Sequence, residues 1–414
     1  MKFEKYNLSP EIKKNLENLG FKRPTDIQFK SIPGILKGQD VLAIAQTGTG
    51  KTAAFAIPAI HLMHRRYSFE NRGFIRCIVM VPTHELAIQI TEVFSKLCYN
   101  TGIRPLCVYG GTDQAAQISA LKEGVEILIA TPGRMFDLAS QGHIDLNHIE
   151  LLILDEADHM LNLGFIHDIR QLIAKIPKQH QTLFFSATID EVLKDLAYSL
   201  VRNPLRIQLS PKDPVSKNVN HSVIHVEMDD KRFFLERFIR EHLESKMLVF
   251  VRTQVRAERV CKALERVSIT SETIHGGKEQ LERSEALNKF REGTNKILIA
   301  TDVSARGIDI PDINYVINYD IPEDPENYVH RVGRTGRGMQ KGIAISFCSE
   351  QENDDFKNIE NYIQKEVSII QIKKNEYDET IVLSEETPHD WRKLIDQENE
   401  AVEKKKKKKK SSKK

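Results

Sequence analysis

The chain has 414 residues, with 60 Lys and Arg against 58 Asp and Glu for a formal charge of +2, and 40% of its residues are hydrophobic. It is too long for one ordinary domain and too apolar to be disordered throughout. Five scattered cysteines, Cys77, Cys98, Cys107, Cys261 and Cys348, form no C-x-x-C pair, which disfavours zinc ribbons and secreted disulfide frameworks.

Taken in chain order, short apolar runs at residues 41–45, 77–81, 127–130, 151–154 and 182–185 each precede a polar or Gly-containing turn. Such runs are the pattern of strands buried on both faces of a parallel sheet. A Ser-Pro-Lys-Asp-Pro interruption follows, within residues 209–219. A second series then runs through 247–251, 297–300, 316–318 and 344–347. The fold class read from this is α/β, with function expected at the carboxyl ends of the strands. A weak internal repeat joins the halves: Val108-Tyr109-Gly110-Gly111, then residues 127–131, matches Ile274-His275-Gly276-Gly277, then residues 297–301. The predicted organisation is a first domain at 1–208, a linker at 209–219, a second domain at 220–372 and a disordered charged tail at 373–414.

Charge is unevenly spread. Residues 404–414 hold nine Lys and no acid, and residues 373–403 hold ten acids and four bases. Residues 1–372 are left at −1, so the whole-chain figure averages unlike segments. No apolar run reaches the roughly 18 residues of a membrane span, and the N-terminus lacks a signal-peptide core. A soluble, cytoplasmic protein with no membrane partner is the expectation.

Ala45-Gln46-Thr47-Gly48-Thr49-Gly50-Lys51-Thr52 follows one predicted strand and opens a helical pattern. Glycines let backbone N–H groups converge on phosphate oxygens, a helix N-terminus favours negative charge, Lys51 adds a cation, and Thr52 would bind Mg²⁺. Ala45 stands where the general phosphate-loop pattern has Gly. Asp155-Glu156-Ala157-Asp158 ends another strand. There Asp155 can hold Mg²⁺ and Glu156 can orient or deprotonate an attacking water.

Residues 46–52 and 155–158, with Ser186-Ala187-Thr188 and His330-Arg331-Val332-Gly333-Arg334-Thr335-Gly336-Arg337, occur in this order. Together they resemble the DEAD-box RNA helicases of superfamily 2, over roughly residues 1–372. The resemblance implies two tandem RecA-like domains, each a mainly parallel sheet flanked by helices, which close over ATP and Mg²⁺ on RNA. It accounts for Ala45, which commonly opens that family's phosphate loop. It casts Phe21 as stacking on adenine and Gln28 as pairing with its edge, within the segment from Gly20 to Gln28. It makes Arg334 and Arg337 arginine fingers, brings Gly307 and Asp309 to the nucleotide, and assigns Asp158, Ser186, Thr188 and His330 to coupling.

The same resemblance gives RNA contacts at Pro82, Thr83, Gly111, Thr131, Gly133, Arg134, Arg252, Thr253, Gly276, Gln280, Arg283 and Thr301. Most are backbone groups, hydroxyls or single basic groups, suited to phosphates and 2′-hydroxyls without base identity. His84 departs from the family, which typically has Arg there as a phosphate contact. A pH-sensitive RNA-stimulated ATPase is the expectation for that position.

The function implied is an ATP-dependent RNA helicase, acting on single-stranded RNA and short duplexes as a monomer, with ribonucleoprotein or ribosomal partners open. An ATP-gated RNA clamp without unwinding shares every motif. A P-loop phosphotransferase fits only the first half, having no use for Arg334 and Arg337.

Overall fold

The computed structural model describes residues 2–46, 48–67, 72–189, 191–209, 215, 218–305, 310–336 and 341–385. The first sheet is built from β1 (Val41–Ala45), β2 (Cys77–Met80), β3 (Pro105–Val108), β4 (Ile127–Ala130), β5 (Leu151–Leu154), β6 (Gln181–Ser186) and β7 (Leu205–Leu209). Their spatial order is β3-β4-β2-β5-β6-β1-β7. The second contains β8 (Val219–His225), β9 (Met247–Phe250), β10 (Glu272–Ile274), β11 (Ile297–Ala300), β12 (Tyr315–Asn318), β13 (Gly342–Cys348) and β14 (Ser368–Ile369). Its order is β10-β11-β9-β12-β13-β8-β14. Adding seven to every strand of the first order yields the second, so the two sheets share one topology. The sequence repeat falls on equivalent strands, β3 and β4 against β10 and β11.

Every strand pairing between described residues is parallel. The continuous apolar runs follow from burial on both faces. In β1, Val41, Ala43 and Ala45 enter one core while Leu42 and Ile44 enter the core on the opposite face. β9 does the same with Met247 and Val249 on one side and Leu248 and Phe250 on the other. Strands without a predicted apolar run lie towards sheet edges or have one wetter face. β7 fully buries only Ile207, and β8 alternates buried with exposed positions.

One expectation is corrected in part. Residues 374–385, inside the segment read as tail, form a helix, Lys374–Glu385, docked on helix Lys231–Glu241. The Tyr377 hydroxyl donates to Asp230 Oδ2 at 2.8 Å and accepts the Glu227 N–H at 3.0 Å. Arg237 Nη1 donates to Thr380 Oγ1 at 2.7 Å. The attachment uses polar groups and one aromatic contact, Phe234 with Tyr377, so a search for a wide apolar stripe passes over it. The lysine run lies outside the described residues.

In the second domain Lys231 is fully buried, donates to the Tyr319 carbonyl at 2.9 Å and is ion-paired with Glu352. Among the described residues no helix is long and apolar enough to cross a membrane.

Candidate functional site

β1 delivers the phosphate-loop sequence directly onto the N-terminus of helix Lys51–Arg65. Gly48 and Gly50 have φ of 78° and 92°, a left-handed backbone that other residues adopt only at a cost. A Cβ at Gly50 would also come within 2.6 Å of Gln28 Nε2 and displace that carboxamide. Thr49 Oγ1 donates to the Gln46 carbonyl at 2.7 Å and tightens the turn. Thr47 lies outside the described residues. Lys51 is 6% exposed, and its Nζ is buried with no hydrogen-bond partner. A buried ammonium without an acceptor is costly, so this site fits a phosphate anion, and Thr52 is the next residue of the helix.

Gln28 is buried, and its carboxamide is already engaged. Its Oε1 accepts the Thr25 N–H at 3.0 Å and its Nε2 donates to the Gly50 carbonyl at 3.1 Å. The amide therefore ties the start of helix Asp26–Leu36 to the phosphate loop, and one Nε2 hydrogen is left for a base. Phe21 is partly buried against the first core, edge-on to Phe3 at 5.9 Å.

Asp155 and Glu156 follow β5, next to the phosphate loop. Burial pushes the Asp155 carboxyl up to about 7, against the pull of Lys51. Burial also opposes ionisation of Glu156, yet His159, Arg334 and Lys51 together hold it low, at about 2. Two adjacent carboxyls are thus driven apart, a separation that suits different chemical roles. Glu156 has φ 51°, ψ 49°; this non-Gly left-handed conformation turns the chain sharply between strand and helix Ala157–Asn162.

Asp158 gathers the coupling segment. Its Oδ2 accepts the N–H groups of Ala187 at 3.2 Å and Thr188 at 3.0 Å, while its own N–H donates to Ser186 Oγ at 3.3 Å. His330 lies in helix Pro325–Val332, where its carbonyl accepts Arg334 Nε at 3.2 Å. Arg334 is buried and its charge bears on Glu156 from the second domain. Arg337, Gly307 and Asp309 lie outside the described residues.

The RNA candidates collect at strand ends of both domains. Thr83 caps helix His84–Leu97 by accepting the Leu86 N–H at 3.3 Å, directly after Pro82. Gly111 adopts φ 73°, and a Cβ there would lie 3.6 Å from the Gln280 Cβ of the second domain. Thr131 is buried, its N–H bonded to the Val108 carbonyl, and Gly133 is in the first turn of helix Pro132–Ser140. Arg134 donates to Gln117 Oε1 and to the Thr112 carbonyl, both at 3.1 Å.

In the second domain, Thr253 caps helix Gln254–Arg266 and Gly276 lies against the Gln254 side chain. Thr301 is buried just past β11. Arg252 donates to the Ile321 carbonyl at 2.9 Å and pairs with Glu323 at 3.2 Å and Asp355 at 3.4 Å. Its side chain is therefore braced by acids as well as placed at the edge of the site.

Contacts between the domains carry no local sequence signal. Arg283 Nη2 pairs with Glu85 Oε1 at 2.6 Å, and His84 Nδ1 lies 3.0 Å from Gln280 Oε1. Thr188 Oγ1 lies 3.3 Å from Glu326 Oε2. Arg331 has no role assigned by sequence inside its own motif. It is buried, forms a two-point pair with Asp302 at 2.5 and 2.7 Å, and donates to the Asp320 carbonyl at 2.7 Å.

Residues 25–196 match the family described as DEAD/DEAH box helicase, and residues 230–339 match the helicase conserved C-terminal domain. The chain belongs to the DEAD/DEAH box helicase family. This DEAD-box chain is similar to the ATP-dependent RNA helicase CshA of Listeria monocytogenes, at 39% identity over 370 residues, 89% of this chain and 70% of that protein. S. cerevisiae Dbp5 bound to RNA and ADP BeF3 is similar in structure, with TM-score 0.80 and 29% identity, covering 93% of this chain and 98% of that one. A DEAD box protein from the hyperthermophile Methanococcus jannaschii is 36% identical over 90% of this chain and 99% of that one, yet its TM-score is 0.52. The DEAD-box chain as a whole superposes better on the RNA- and analogue-bound yeast protein than on the archaeal one, despite the lower identity.

Proposed function

We propose that the chain is an ATP-dependent RNA helicase that hydrolyses ATP when its two domains close on RNA, and that closure separates short duplexes or remodels RNA–protein complexes. The observation that carries this is Arg334 of the second domain, buried and acting electrostatically on Glu156 of the first. A site completed only by the opposite domain makes hydrolysis conditional on closure. Such an arginine is worth about 10³ to 10⁵ in rate in related NTPases.

The loop from Ala45 to Thr52 would hold the phosphates, with Lys51 supplying the acceptor-free cation. Thr52 and Asp155 would hold Mg²⁺, which neutralises phosphate charge when bound. Glu156 orients the attacking water as a carboxylate, and Arg334 with Arg337 answers charge on the transferring group. Phe21 and Gln28 serve adenine, and Gly307 and Asp309 the rest of the nucleoside.

RNA lies across the candidates after β2, β3, β4, β9, β10 and β11. Their backbone, hydroxyl and basic groups support sequence-independent contact. Ribonucleoprotein partners, a monomeric state and a cytoplasmic location belong to the same reading. The deciding experiment follows release of a labelled strand from a short RNA duplex with ATP. Release with ATP but not without it is the expected result. RNA-stimulated ATP turnover with no release would instead assign an ATP-gated clamp.

A further inference from the structure

Thr188 follows β6 in the first domain, and Glu326 lies in the first turn of helix Pro325–Val332 in the second. Between them sits an unequal competition for one hydrogen. Thr188 Oγ1 is 3.1 Å from Asp158 Oδ2 and 3.3 Å from Glu326 Oε2. A hydroxyl has a single hydrogen to donate, and ionised carboxylates only accept. Thr188 can therefore satisfy one carboxylate at a time.

Asp158 does not depend on that hydrogen. Its Oδ2 keeps the N–H groups of Ala187 and Thr188, and its Oδ1 accepts the His159 N–H at 3.0 Å. Glu326 is prepared to receive it. The Glu326 N–H is capped by Asp324 Oδ1 at 3.0 Å, and Tyr362, on helix Asn353–Ile363, lies close enough to feel the charge of the Glu326 carboxylate. Burial and the negative charges of Glu326 and Asp324 push that phenol up to about 12, so it remains a donor. With the domains apart only Asp158 is within reach; with the domains together the hydrogen can turn to Glu326 while Asp158 keeps its three backbone N–H donors.

We propose that Glu326 is the positioning residue by which the second domain engages Thr188, the hydroxyl hydrogen turning from Asp158 to Glu326 on closure. This inference rests on the helicase reading above. It adds a closure partner outside the motifs that carried that reading.

The test compares native protein with Glu326→Ala, Glu326→Gln, Thr188→Val and the Glu326→Ala/Thr188→Val double variant. ATP turnover is followed with and without RNA. Loss of one hydrogen bond should raise the RNA concentration for half-stimulation about two- to tenfold in Glu326→Ala, with RNA-free turnover unchanged. Glu326→Gln keeps an acceptor oxygen and should stay within about twofold of native. The double variant should be no worse than Thr188→Val alone. Native behaviour of Glu326→Ala, equal losses in the Ala and Gln variants, or additive losses in the double variant would each overturn the proposal. If Glu326→Ala unfolds, Thr188→Val reads the same contact from the other side, and a native response there overturns it. A native protein whose turnover ignores RNA would instead overturn the helicase reading, so the two failures are distinct.

Discussion

His84 Nδ1 in the first domain stands 3.0 Å from Gln280 Oε1 in the second, and the imidazole leans on Tyr109 with ring centroids 5.4 Å apart. The acceptor on Gln280 requires Nδ1 to carry a hydrogen. Besides the phosphate contact expected at this position, the side chain reaches across the cleft.

His84→Ala should therefore weaken closure by one neutral hydrogen bond, about 0.5–1.5 kcal/mol. The RNA concentration for half-stimulation of ATP turnover should rise several-fold, with maximal turnover changing less. The bridging hydrogen is present on both the neutral Nδ1–H tautomer and the imidazolium. A pH profile of native protein that parallels His84→Arg would fit the bridge, whereas a steep difference would restore the phosphate contact.

Asp155 gives a stability prediction with a definite sign. Its folded-state pKa is raised from 3.8 to about 7 by burial. Below about pH 4 both folded and unfolded chains hold this proton, and there is no cost. Between about pH 4 and pH 7 the unfolded chain releases a proton that the folded chain keeps, so stability falls as pH rises, by about 1.4 kcal/mol for each pH unit crossed. In chelator and without nucleotide, Asp155→Asn should unfold at a higher temperature than native protein at pH 7.5. The gain should vanish near pH 4, while ATP turnover is lost throughout. A gain independent of pH would refute the assignment.

Glu156→Gln removes a carboxylate held ionised, with its carboxyl at about 2, and keeps the side chain's size. Turnover should fall by at least about a hundredfold, in line with loss of a positioned base. ATP-dependent retention of RNA should persist. Filter binding of labelled RNA with and without ATP checks this, and full turnover would remove Glu156 from its role.

Deleting residues 404–414 removes nine lysines. Nonspecific attraction to phosphate is salt-dependent. The deletion should therefore raise the RNA requirement at low salt, lose its effect at high salt and leave maximal ATPase largely intact. Titrating RNA-stimulated turnover at two salt concentrations reads both arms.

Much of this fold is legible because doubly buried parallel strands are written as unbroken apolar runs, as in β1 and β5. Strands with a wet face escape, β7 and β8 among them, because their residues alternate in a way that short loops also do. The phosphate loop and the Asp155–Asp158 segment can be read because their chemistry is compressed into consecutive residues. The cleft contacts cannot: His84 and Gln280 are 196 positions apart, and Thr188 and Glu326 are 138 apart. Nothing local marks either pair. Arg331 shows the complementary failure, for its neighbours stand out as a motif while its own bond to Asp302 depends on how two distant strands are ordered.

The shared topology makes Lys231 the counterpart of Lys51. Each opens the helix that follows the corresponding strand, β8 or β1, and each is buried. Lys51 has no acceptor of its own, whereas Lys231 has the Glu352 carboxylate, which also takes N–H groups from Ile321 and Ser349. The second domain thus carries a permanent internal anion where the first leaves room for an exchangeable one. The duplicated topology therefore keeps only one of its two equivalent helix-opening lysines open to an outside anion.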